Sequence, residues 1–331
     1  MKRLYEVNCN DLIVNITFAW EGAIAIVRPE DTGALVSHRF PTYQFDQNAV
    51  LSGFFRYPIH DQQFIYNLGV ISPGGAGRNR VLNKSDFLKI ELALPEIAEQ
   101  QKIADCLGSL DDLIAAEGRK LEALRQHKQG LMQRLFPRPG ETVPRLRFPE
   151  FVNEPAWTEL TIGNVCGLKA GDFTPASEIT EFPDEGSFPC YGANGLRGYV
   201  KSFTHEGQYV LVGRQGALCG NVNLYTGKFH ATEHALVATP KSVIDTGWLF
   251  YALDVLKLNR YSTGQAQPGL SVGVLNGVGI SIPTGNNEQQ KIADCLGSLD
   301  DLIASEGRKL ETLRQHKQGL MQQLFPSPEV K

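Results

Sequence analysis

The sequence lacks most of the features that mark membrane, secreted and cofactor-binding proteins. Its 331 residues contain no apolar run near the roughly 18 residues that span a bilayer, and the start MKRLYEVNCND has no apolar signal core. Six cysteines are scattered without a CxxC pair, which favours a reduced, cytoplasmic protein over a disulfide or zinc framework. No GxxxxGK(S/T), NPPY or DPPY segment and no GxGxxG after a strand is present, so we expect this chain to hold no nucleotide or other cofactor of its own.

An excess of basic residues is also missing. The net charge is −4; residues 1–98 carry 9 basic and 10 acidic residues, and residues 138–287 carry 11 and 13. Because a stand-alone nucleic-acid-binding protein usually shows a basic surface, charge alone argues against that function. If the chain binds DNA, a partner must supply much of the attraction to the phosphates.

What the sequence does contain is a long internal repeat. Residues 99–137 recur as residues 288–326 at an offset of 189, and the two copies differ only at Ala116/Ser305, Ala123/Thr312 and Arg134/Gln323. The segments that precede the two copies have almost nothing literal in common. Near-identical repeats separated by divergent segments indicate two interchangeable recognition segments on one fixed frame.

Each copy of the repeat has the apolar spacing of a coiled-coil helix. The apolar seam consists of Ile103, Leu107, Leu110, Ile114, Leu121, Leu124, Leu131 and Leu135 in the first copy and of Ile292, Leu296, Leu299, Ile303, Leu310, Leu313, Leu320 and Leu324 in the second. A helix over residues 99–136 would be about 57 Å long. Gly108 followed by SLDD resembles a capping box and predicts a kink, and a proline ends each copy.

The charges of the repeat predict how the two helices pair. The first half of each copy is acidic and the second half is basic, so an antiparallel partner of the same sequence sets acid against base. We therefore predict an antiparallel intramolecular coiled coil. The two remaining seam positions hold Glu117 and Lys128 in the first copy and Glu306 and Lys317 in the second, and we expect each lysine to pair with a glutamate of the opposing helix. The alternative, helices that merely join chains, leaves the divergent segments between the copies unexplained.

The segments outside the repeat read as mixed α/β (α+β) structure. Residues 138–287 open with a proline-rich linker, and strands are predicted at residues 207–213, 217–225 and 234–240, an amphipathic helix at 247–260, and a loop with a final strand at 264–283. Residues 1–98 resemble only the back half of this segment: 10–27 parallels 207–224, 52–59 parallels 247–254, and 74–95 parallels 264–283. No counterpart to roughly the first 60 residues is present.

Taken together, these motifs resemble the specificity subunit of type I DNA restriction–modification systems over essentially the whole length. The resemblance rests on LRFPEF followed by Trp157 (residues 146–157), GLSVGVLNGVGISIP (269–283), EQQKIAD (99–105 and 288–294) and KQGLMQ (128–133 and 317–322). It implies two target-recognition domains that read the halves of a split site in double-stranded DNA. It also implies two antiparallel helices that space the domains and dock two methyltransferase subunits, with restriction–translocation subunits further out.

Further implications concern catalysis and domain boundaries. In this family the specificity subunit catalyses nothing, and S-adenosylmethionine, ATP and Mg²⁺ belong to its partners. The implied divisions are a partial first recognition domain (1–98), the first spacer helix (99–137), the second recognition domain (138–287), the second spacer helix (288–326) and a tail (327–331). The short first domain departs from the family pattern. A truncated gene, an engineered fragment and one chain of a split protein are open explanations, and whether this domain reads DNA is open too.

Candidate DNA contacts are polar residues in glycine-flanked or exposed segments, because Arg and Gln can bond two atoms of one base edge. They are Arg39, Arg78, Asn79, Arg80, Arg197, Lys201, Arg214, Gln215, Gln265 and Gln267. For each arginine the alternative is a solvated surface charge, and GQAQPGLS (264–271) is alternatively a structural turn. Lys128 and Lys317 are alternatively contacts to the methyltransferase.

One further motif has the spelling of a zinc hydrolase site. His230, Glu233 and His234 form an HxxEH pattern, which requires a helix to bring its ligands together. Here it lies among predicted strand and turn residues, so we expect no metal and favour a buried or DNA-facing histidine pair. The remaining functional alternative is a truncated coiled-coil protein that occupies the methyltransferase without reading DNA.

Overall fold

The protein has a mixed helix and sheet fold, as the sequence predicts. The computed structural model describes residues 4–74, 80–193, 195–264 and 268–325. The chain divides into two compact units, the first made of Met1–Lys120 and Glu306–Lys331 and the second of Leu121–Ser305. Each of the two long helices contributes residues to both units.

The first part of the chain consists of short strands and helices that lead into a long helix. The strands are β1 (Leu4–Glu6), β2 (Leu12–Val14), β3 (Ile24–Ile26), β4 (Leu35–Ser37) and β5 (Thr42–Tyr43), and the helices are α1 (Ser52–Phe55), α2 (Gln62–Val70), α3 (Lys84–Phe87) and α4 (Ile97–Leu135). Asp61 caps α2 by accepting from the N–H of Gln63, and Asn83 caps α3 in the same way.

The second part of the chain is richer in strands. Its elements are β6 (Thr158–Thr161), α5 (Ile162–Val165), β7 (Cys166–Ala170), β8 (Phe188–Gly192), β9 (Gly195–Val200), β10 (His205–Gly213), β11 (Val222–Ala231), β12 (Ala235–Pro240), α6 (Thr246–Val255), α7 (Val272–Asn276), β13 (Gly279–Ile282) and α8 (Asn286–Leu324). The strand predicted at 217–225 is wrong over its first residues, because residues 217–220 form a turn and β11 begins at Val222.

A six-stranded sheet organises the second unit. Its strand order is β7-β12-β10-β11-β8-β9; β8 and β11 are parallel, and the other neighbours are antiparallel. Side chains alternate between its faces, so Val210 and Val212 enter the main core while Leu211 enters a smaller core on the other face. β6 and β13 form a separate antiparallel pair.

Aromatic residues and one buried ion pair fix the linker of the second unit to the start of α8. The rings of Phe136 and Trp157 lie 6.2 and 6.3 Å from that of the fully buried Trp248. Arg147 binds Glu288 through two hydrogen bonds of 2.8 and 2.7 Å, and the exposed fractions of these side chains are only 7% and 3%. The Trp157 indole N–H also donates to Glu288. This glutamate therefore joins the linker to the helix.

The first unit repeats the centre of the second unit's sheet. β2 lies between β3 and β5, just as β10 lies between β11 and β12. The N–H of Leu82 donates to the carbonyl of Ile16 (2.7 Å), as that of Leu270 donates to Arg214 (2.9 Å). The sequence parallel between residues 10–27 and 207–224 thus corresponds to a shared hairpin. Among the described residues of the first unit, no pair of strands takes the places of β8 and β9.

The long helices are continuous within their bounds. Each has 39 residues, and each begins and ends two residues before the predicted positions. The predicted kink and capping box at Gly108 are wrong, because the Ser109 hydroxyl donates to the Asp105 carbonyl one turn earlier inside α4. All ten seam positions of each copy are buried or half-buried, which agrees with the predicted stripe.

Ion pairs within each unit show that the helices run antiparallel. In the first unit Asp111 pairs with Lys317, Glu117 with Lys309, and Lys120 with Glu306 (2.6 Å). In the second unit Lys128 pairs with Asp300 at 2.5 Å. Both seam lysines therefore pair with acids, but their predicted mates, Glu117 and Glu306, are wrong.

A tyrosine in each unit explains the choice of aspartate. The Tyr251 hydroxyl donates to Asp300 (2.7 Å), and the Lys128 ammonium lies 5.2 Å from the Tyr251 ring. In the first unit Tyr57 donates to Asp111 (3.1 Å) and Lys317 lies over the Tyr57 ring. In each unit the tyrosine hydroxyl binds the aspartate, and the lysine ammonium lies over the tyrosine ring. The ion pair therefore depends on a tyrosine from outside the long helices as well as on the two helices themselves.

Burial, followed by the nearby Asp111 charge, raises the pKa of Tyr57 from 10.0 to about 12. The folded unit thus favours the protonated phenol, whose stabilising contribution is complete below pH 10 and is lost as pH rises toward 12. We expect the free energy of unfolding of Tyr57→Phe to fall less steeply above pH 10 than that of the wild type. Urea titrations at several alkaline pH values check this result, with Tyr66→Phe, at an exposed position, as the control. Equal slopes in the wild type and Tyr57→Phe would contradict it.

Candidate nucleic-acid interface

Three loop segments meet at one end of β10 and β12 in the second unit. The N–H of Arg214 donates to the carbonyl of His234 (2.8 Å), and that of Gly216 donates to Pro268 (3.0 Å). The Arg214 carbonyl accepts from Leu270 (2.9 Å). We call residues 214–216, 232–234 and 268–270 the loop junction.

Glycine makes the close approach at this junction possible. A Cβ atom on Gly213 would lie 2.5 Å from the carbonyl oxygen of Leu218 and 3.0 Å from that of Ala193. Gly216 has a φ of +84°, a left-handed conformation that favours glycine. The sequence GRQG therefore places Arg214 and Gln215 on a tight turn that their glycine neighbours permit.

The polar side chains of the junction contact one another. Gln215 Oε1 lies 3.2 Å from His234 Nδ1, and Glu233 Oε1 lies 3.1 Å from His234 Nε2. Arg214 Nη1 reaches the Glu233 carbonyl at 3.4 Å. Two buried atoms, Glu233 Oε2 and Thr232 Oγ1, have no hydrogen-bond partner in the described part of the chain. Buried polar atoms nearly always have a hydrogen-bond partner, so these two are exceptions among the described residues.

Arg197 joins this group from β9. A Cβ atom on Gly192 would lie 2.8 Å from the Arg197 Cδ and 3.3 Å from the Thr232 hydroxyl. Both side chains therefore pack closely against this glycine. Arg197 is exposed. The adjacent Tyr191 stacks on Tyr225 with ring centroids 3.6 Å apart, and burial raises the pKa of both phenols.

We call Arg197, Arg214, Gln215, Thr232, Glu233 and His234 the polar cluster. It combines cationic and amide donors with carboxylate and hydroxyl groups; Arg197 lies in β9, and the other members lie on short turns. Guanidinium and amide groups match the edges of guanine and adenine, and a carboxylate matches the amino group of cytosine. The arrangement is therefore chemically suited to contact base edges.

The other predicted contact residues lie elsewhere. Lys201 is held by Asp184 (2.8 Å) and the Glu185 carbonyl (3.0 Å), so its ammonium is already paired. In the first unit Arg39 is exposed, and the Arg80 guanidinium lies 5.2 Å from the Trp20 ring. Four predicted contacts lie outside the described residues: Arg78, Asn79, Gln265 and Gln267.

The HxxEH segment does not form the helix that a zinc site of this motif requires. His230 lies in β11 with Nε2 2.8 Å from the Thr174 hydroxyl, while Glu233 and His234 follow in the turn to β12. The described residues contain no group of three or more potential metal ligands. Sequence reasoning did not predict that Thr232 and Glu233 would lie beside Arg214 and Gln215. The signal that could have found them is their position in the short turn between two predicted strands. That turn lies at the same end of the sheet as GRQG, which follows the neighbouring strand β10.

The family model and the relatives that match this chain all belong to one protein family. The model for the type I restriction modification DNA specificity domain matches residues 1–126 and 155–315. The chain is 42% identical over 146 residues to the type I restriction enzyme EcoprrI specificity subunit of Escherichia coli, covering 44% of this chain and 36% of that protein. It is 25% identical over 274 residues to the MjaVIII specificity subunit of Methanocaldococcus jannaschii, covering 74% and 63%. The chain thus spans less than two thirds of these relatives.

The fold agrees with that assignment. The crystal structure of a type I restriction–modification system S subunit from M. genitalium matches with a TM-score of 0.71 at 18% identity, covering 98% of this chain and 84% of that one. No helix among the described residues is long and apolar enough to cross a membrane. Since the family model matches well over half of the residues, the chain belongs to the type I restriction–modification DNA specificity family, as its repeat and motifs predicted.

Proposed function

We propose that this chain is a non-catalytic recognition and scaffold subunit that reads double-stranded DNA through its second unit. The observation that carries the proposal is the polar cluster, in which Arg197, Arg214 and Gln215 gather around the turn that holds Thr232, Glu233 and His234. Family membership supports the DNA as ligand. In this proposal the second unit reads one half of a split site.

The proposed readout uses the chemistry of each side chain. The Arg214 guanidinium has donors to spare, since its contact to the Glu233 carbonyl uses only one nitrogen. A bidentate contact to guanine is worth about 1–3 kcal/mol of discrimination.

We further propose that each unit docks one methyltransferase subunit through an equivalent groove. In the second unit a groove of 500 Å³ is lined by Gln129, Met132 and Gln133 beside Val255. In the first unit the repeat equivalents Gln318, Met321 and Gln322 line a groove of 370 Å³ beside Tyr57. Identical residues in two grooves suit two copies of one partner, and methionine adapts well to a partner surface. The partners would bring S-adenosylmethionine, ATP and Mg²⁺, with restriction subunits joining the assembled complex.

A second candidate function is regulation without DNA reading. The net charge of −4 and the absence, among the described residues of the first unit, of counterparts to β8 and β9 favour it. Such a chain would occupy the methyltransferase through the same grooves but give the complex no sequence preference. Measuring whether the complex prefers particular DNA sequences distinguishes the two functions. Measuring methyltransferase binding does not, because both functions require it.

Replacing Arg214 with alanine tests the recognition proposal. In a complex with the cognate methyltransferase, we expect Arg214→Ala to weaken discrimination at one or two base pairs by about 1–3 kcal/mol. Selection from randomised duplexes, followed by affinity measurements at fixed salt, checks this. Arg145→Ala is the control, because Arg145 is an exposed linker residue that pairs with Glu141. Arg80→Ala should change the preference little. Identical preferences for wild type and Arg214→Ala would show that Arg214 does not read a base, whereas no preference in either would favour the regulatory function.

A further inference from the structure

A surface of the first unit is open where the second unit is covered by residues 146–162, which we call the linker segment. In the second unit Arg147 makes two hydrogen bonds to Glu288, and the Trp157 ring packs against Trp248 at 6.3 Å. The segment also contains β6, which pairs with β13. The linker segment therefore contacts the start of α8, the aromatic cluster and the last strand of the unit.

The first unit has the same framework beneath its open surface. Gln100 accepts from the N–H of Leu51 (2.9 Å), just as its repeat equivalent Gln289 accepts from that of Asp245 (2.9 Å). Each glutamine thereby fixes the start of a long helix to the residue that precedes α1 or α6. The first unit therefore holds, at equivalent positions, the helix starts that a linker segment would contact.

The aromatic cluster is present in the first unit with one ring fewer. Phe54 packs on Phe325 at 5.5 Å, as Trp248 packs on Phe136 at 6.2 Å. In the second unit the Trp157 ring packs on both members of its pair. Among the described residues no further ring pairs with Phe54 or Phe325. Accordingly, Phe325 is only half-buried, whereas Phe136 is 5% exposed.

Glu99 is the counterpart of the glutamate that binds the linker segment. Its repeat equivalent, Glu288, is 3% exposed and accepts from Arg147 and from the Trp157 indole N–H. Glu99 is exposed and has no ion pair among the described residues. Because the two helices are identical in sequence from this glutamate up to Ala116, the difference comes from what covers them.

Residues 91–94 occupy the place of β13 but form no strand. The endings LALP and ISIP of the two segments align Leu92 with Ile280. Ile280 is 4% exposed beneath β6, whereas Leu92 and Leu94 are 36% and 38% exposed. No backbone hydrogen bond joins residues 91–94 to another described residue. An extended, apolar edge with unpaired backbone groups is a template for an added strand.

We propose that Glu99, Phe325 and residues 91–94, which we call the open surface, bind a segment of a partner protein with the chemistry of the linker segment. An arginine of this segment pairs with Glu99 through two hydrogen bonds. A tryptophan ten residues later packs on Phe325, and a short strand then adds to residues 91–94. The second unit makes the equivalent contacts with its own chain.

The occupant is a partner protein rather than a second copy of this chain. In each copy the linker segment is already used, since the Arg147 side chain is 7% exposed and Trp157 is 2% exposed. A second copy would have to unfold part of its own second unit to supply the segment. The open surface goes beyond the proposed reading of DNA by the second unit, and its failure would leave that proposal untouched.

A synthetic peptide of residues 143–165 serves as the probe for the open surface. We expect the labelled, capped peptide to bind the full chain saturably, at one site, in fluorescence anisotropy titrations. Glu99→Gln should lower the affinity about tenfold or more, because the peptide arginine loses its partner. Asp112→Asn should change it less than about twofold, because Asp112 is an exposed acid of the same helix outside the open surface.

Changes in the peptide test the arginine contact directly. Arg147→Gln in the peptide should weaken binding as much as Glu99→Gln in the chain, whereas Arg145→Gln should have little effect. In the chain itself Arg145 is half exposed and pairs only with Glu141, so it is a matched control two residues away. Glu99→Arg in the chain should abolish binding of the unmodified peptide and restore binding of the Arg147→Glu peptide.

Hydrogen exchange followed by mass spectrometry locates the added strand. The peptide should slow amide exchange in residues 91–94 and leave residues 278–283 unchanged. No saturable binding, equal losses for the Arg145 and Arg147 peptides, or unchanged exchange in residues 91–94 would overturn the proposal. Faster or slower exchange in residues 278–283 alone would also overturn it, by showing that the peptide replaces the linker segment of the second unit. Self-association of the chain that Glu99→Gln abolishes would instead identify a second copy as the occupant and overturn the partner assignment.

Discussion

Replacing Glu288 with alanine is expected to lower the free energy of unfolding of the second unit by about 3–5 kcal/mol, because it leaves a buried charge without its partner. The Arg147 guanidinium makes two hydrogen bonds to Glu288 and is 7% exposed. The Trp157 indole N–H would lose its acceptor as well. Chemical denaturation followed by tryptophan fluorescence measures this effect, since Trp157 and Trp248 belong to the same cluster.

The repeat provides a matched control for this prediction. Glu99 is the equivalent residue of the first copy, but it is exposed and has no ion pair among the described residues. Glu99→Ala should therefore change stability by less than about 0.5 kcal/mol, as is usual for an exposed surface position. Similar losses in the two variants would show that helix propensity, rather than the buried pair with Arg147, controls the result.

Introducing an aspartate into the helix seam is the second substitution with a large expected effect. Leu121 and Leu310 are 5% and 6% exposed, and they occupy equivalent seam positions in the two copies. Leu121→Asp and Leu310→Asp should each lower the free energy of unfolding by about 3–5 kcal/mol, because each loses apolar burial and buries an unpaired carboxylate. Urea denaturation of each variant measures the loss.

Leucines on the outer face of the same helices are the controls. Leu113 and its repeat equivalent Leu302 are 42% and 40% exposed. Aspartate at these positions should cost about 1 kcal/mol or less, mainly through helix propensity. Wild-type stability of Leu121→Asp or Leu310→Asp would disprove the seam, whereas equal losses at all four positions would indicate general intolerance of the helix to aspartate.

The seam was predictable because it depends on a local period. Alternating spacings of three and four identify the helix face whatever covers it, and all ten positions of each copy are buried or half-buried. Charge order along the repeat likewise predicted the antiparallel ion pairs seen within each unit. The individual mates were not predictable, because Tyr57 and Tyr251 select Asp111 and Asp300 from outside the helices.

The sheet of the second unit was only partly predictable. β10 and β12 are rich in apolar residues and were found. β7, β8 and β9 contain glycine, β8 also contains proline, and β7 and β8 pair with strands distant in sequence. The kink at Gly108 was predicted from a sequence that resembles a helix cap. In the structure the helix continues, and the Ser109 hydroxyl donates to the Asp105 carbonyl instead of capping a new helix. Local signals of this kind fail where tertiary contacts satisfy the same groups differently.

The candidate interface was also only partly predictable from the sequence. Arg214 and Gln215 were predictable because flanking glycines indicate a turn, and the structure places both at the loop junction. Thr232 and Glu233 were not, because their unpaired oxygens become evident only when the β11–β12 turn packs beside GRQG. Lys201 looked equivalent to Arg197 in sequence, but in the structure its ammonium pairs with Asp184, a contact that sequence alone does not indicate.

Mapping methylated adenines in cells is the most direct test of DNA recognition by this chain. The chain and its cognate methyltransferase would be expressed together, with wild type, Arg214→Ala and Arg145→Ala compared by sequencing that detects N6-methyladenine. Our account predicts a defined motif for wild type and Arg145→Ala, and a motif relaxed at one or two positions for Arg214→Ala. Methylation without sequence preference in the wild type, or a motif unchanged by Arg214→Ala, would contradict the account.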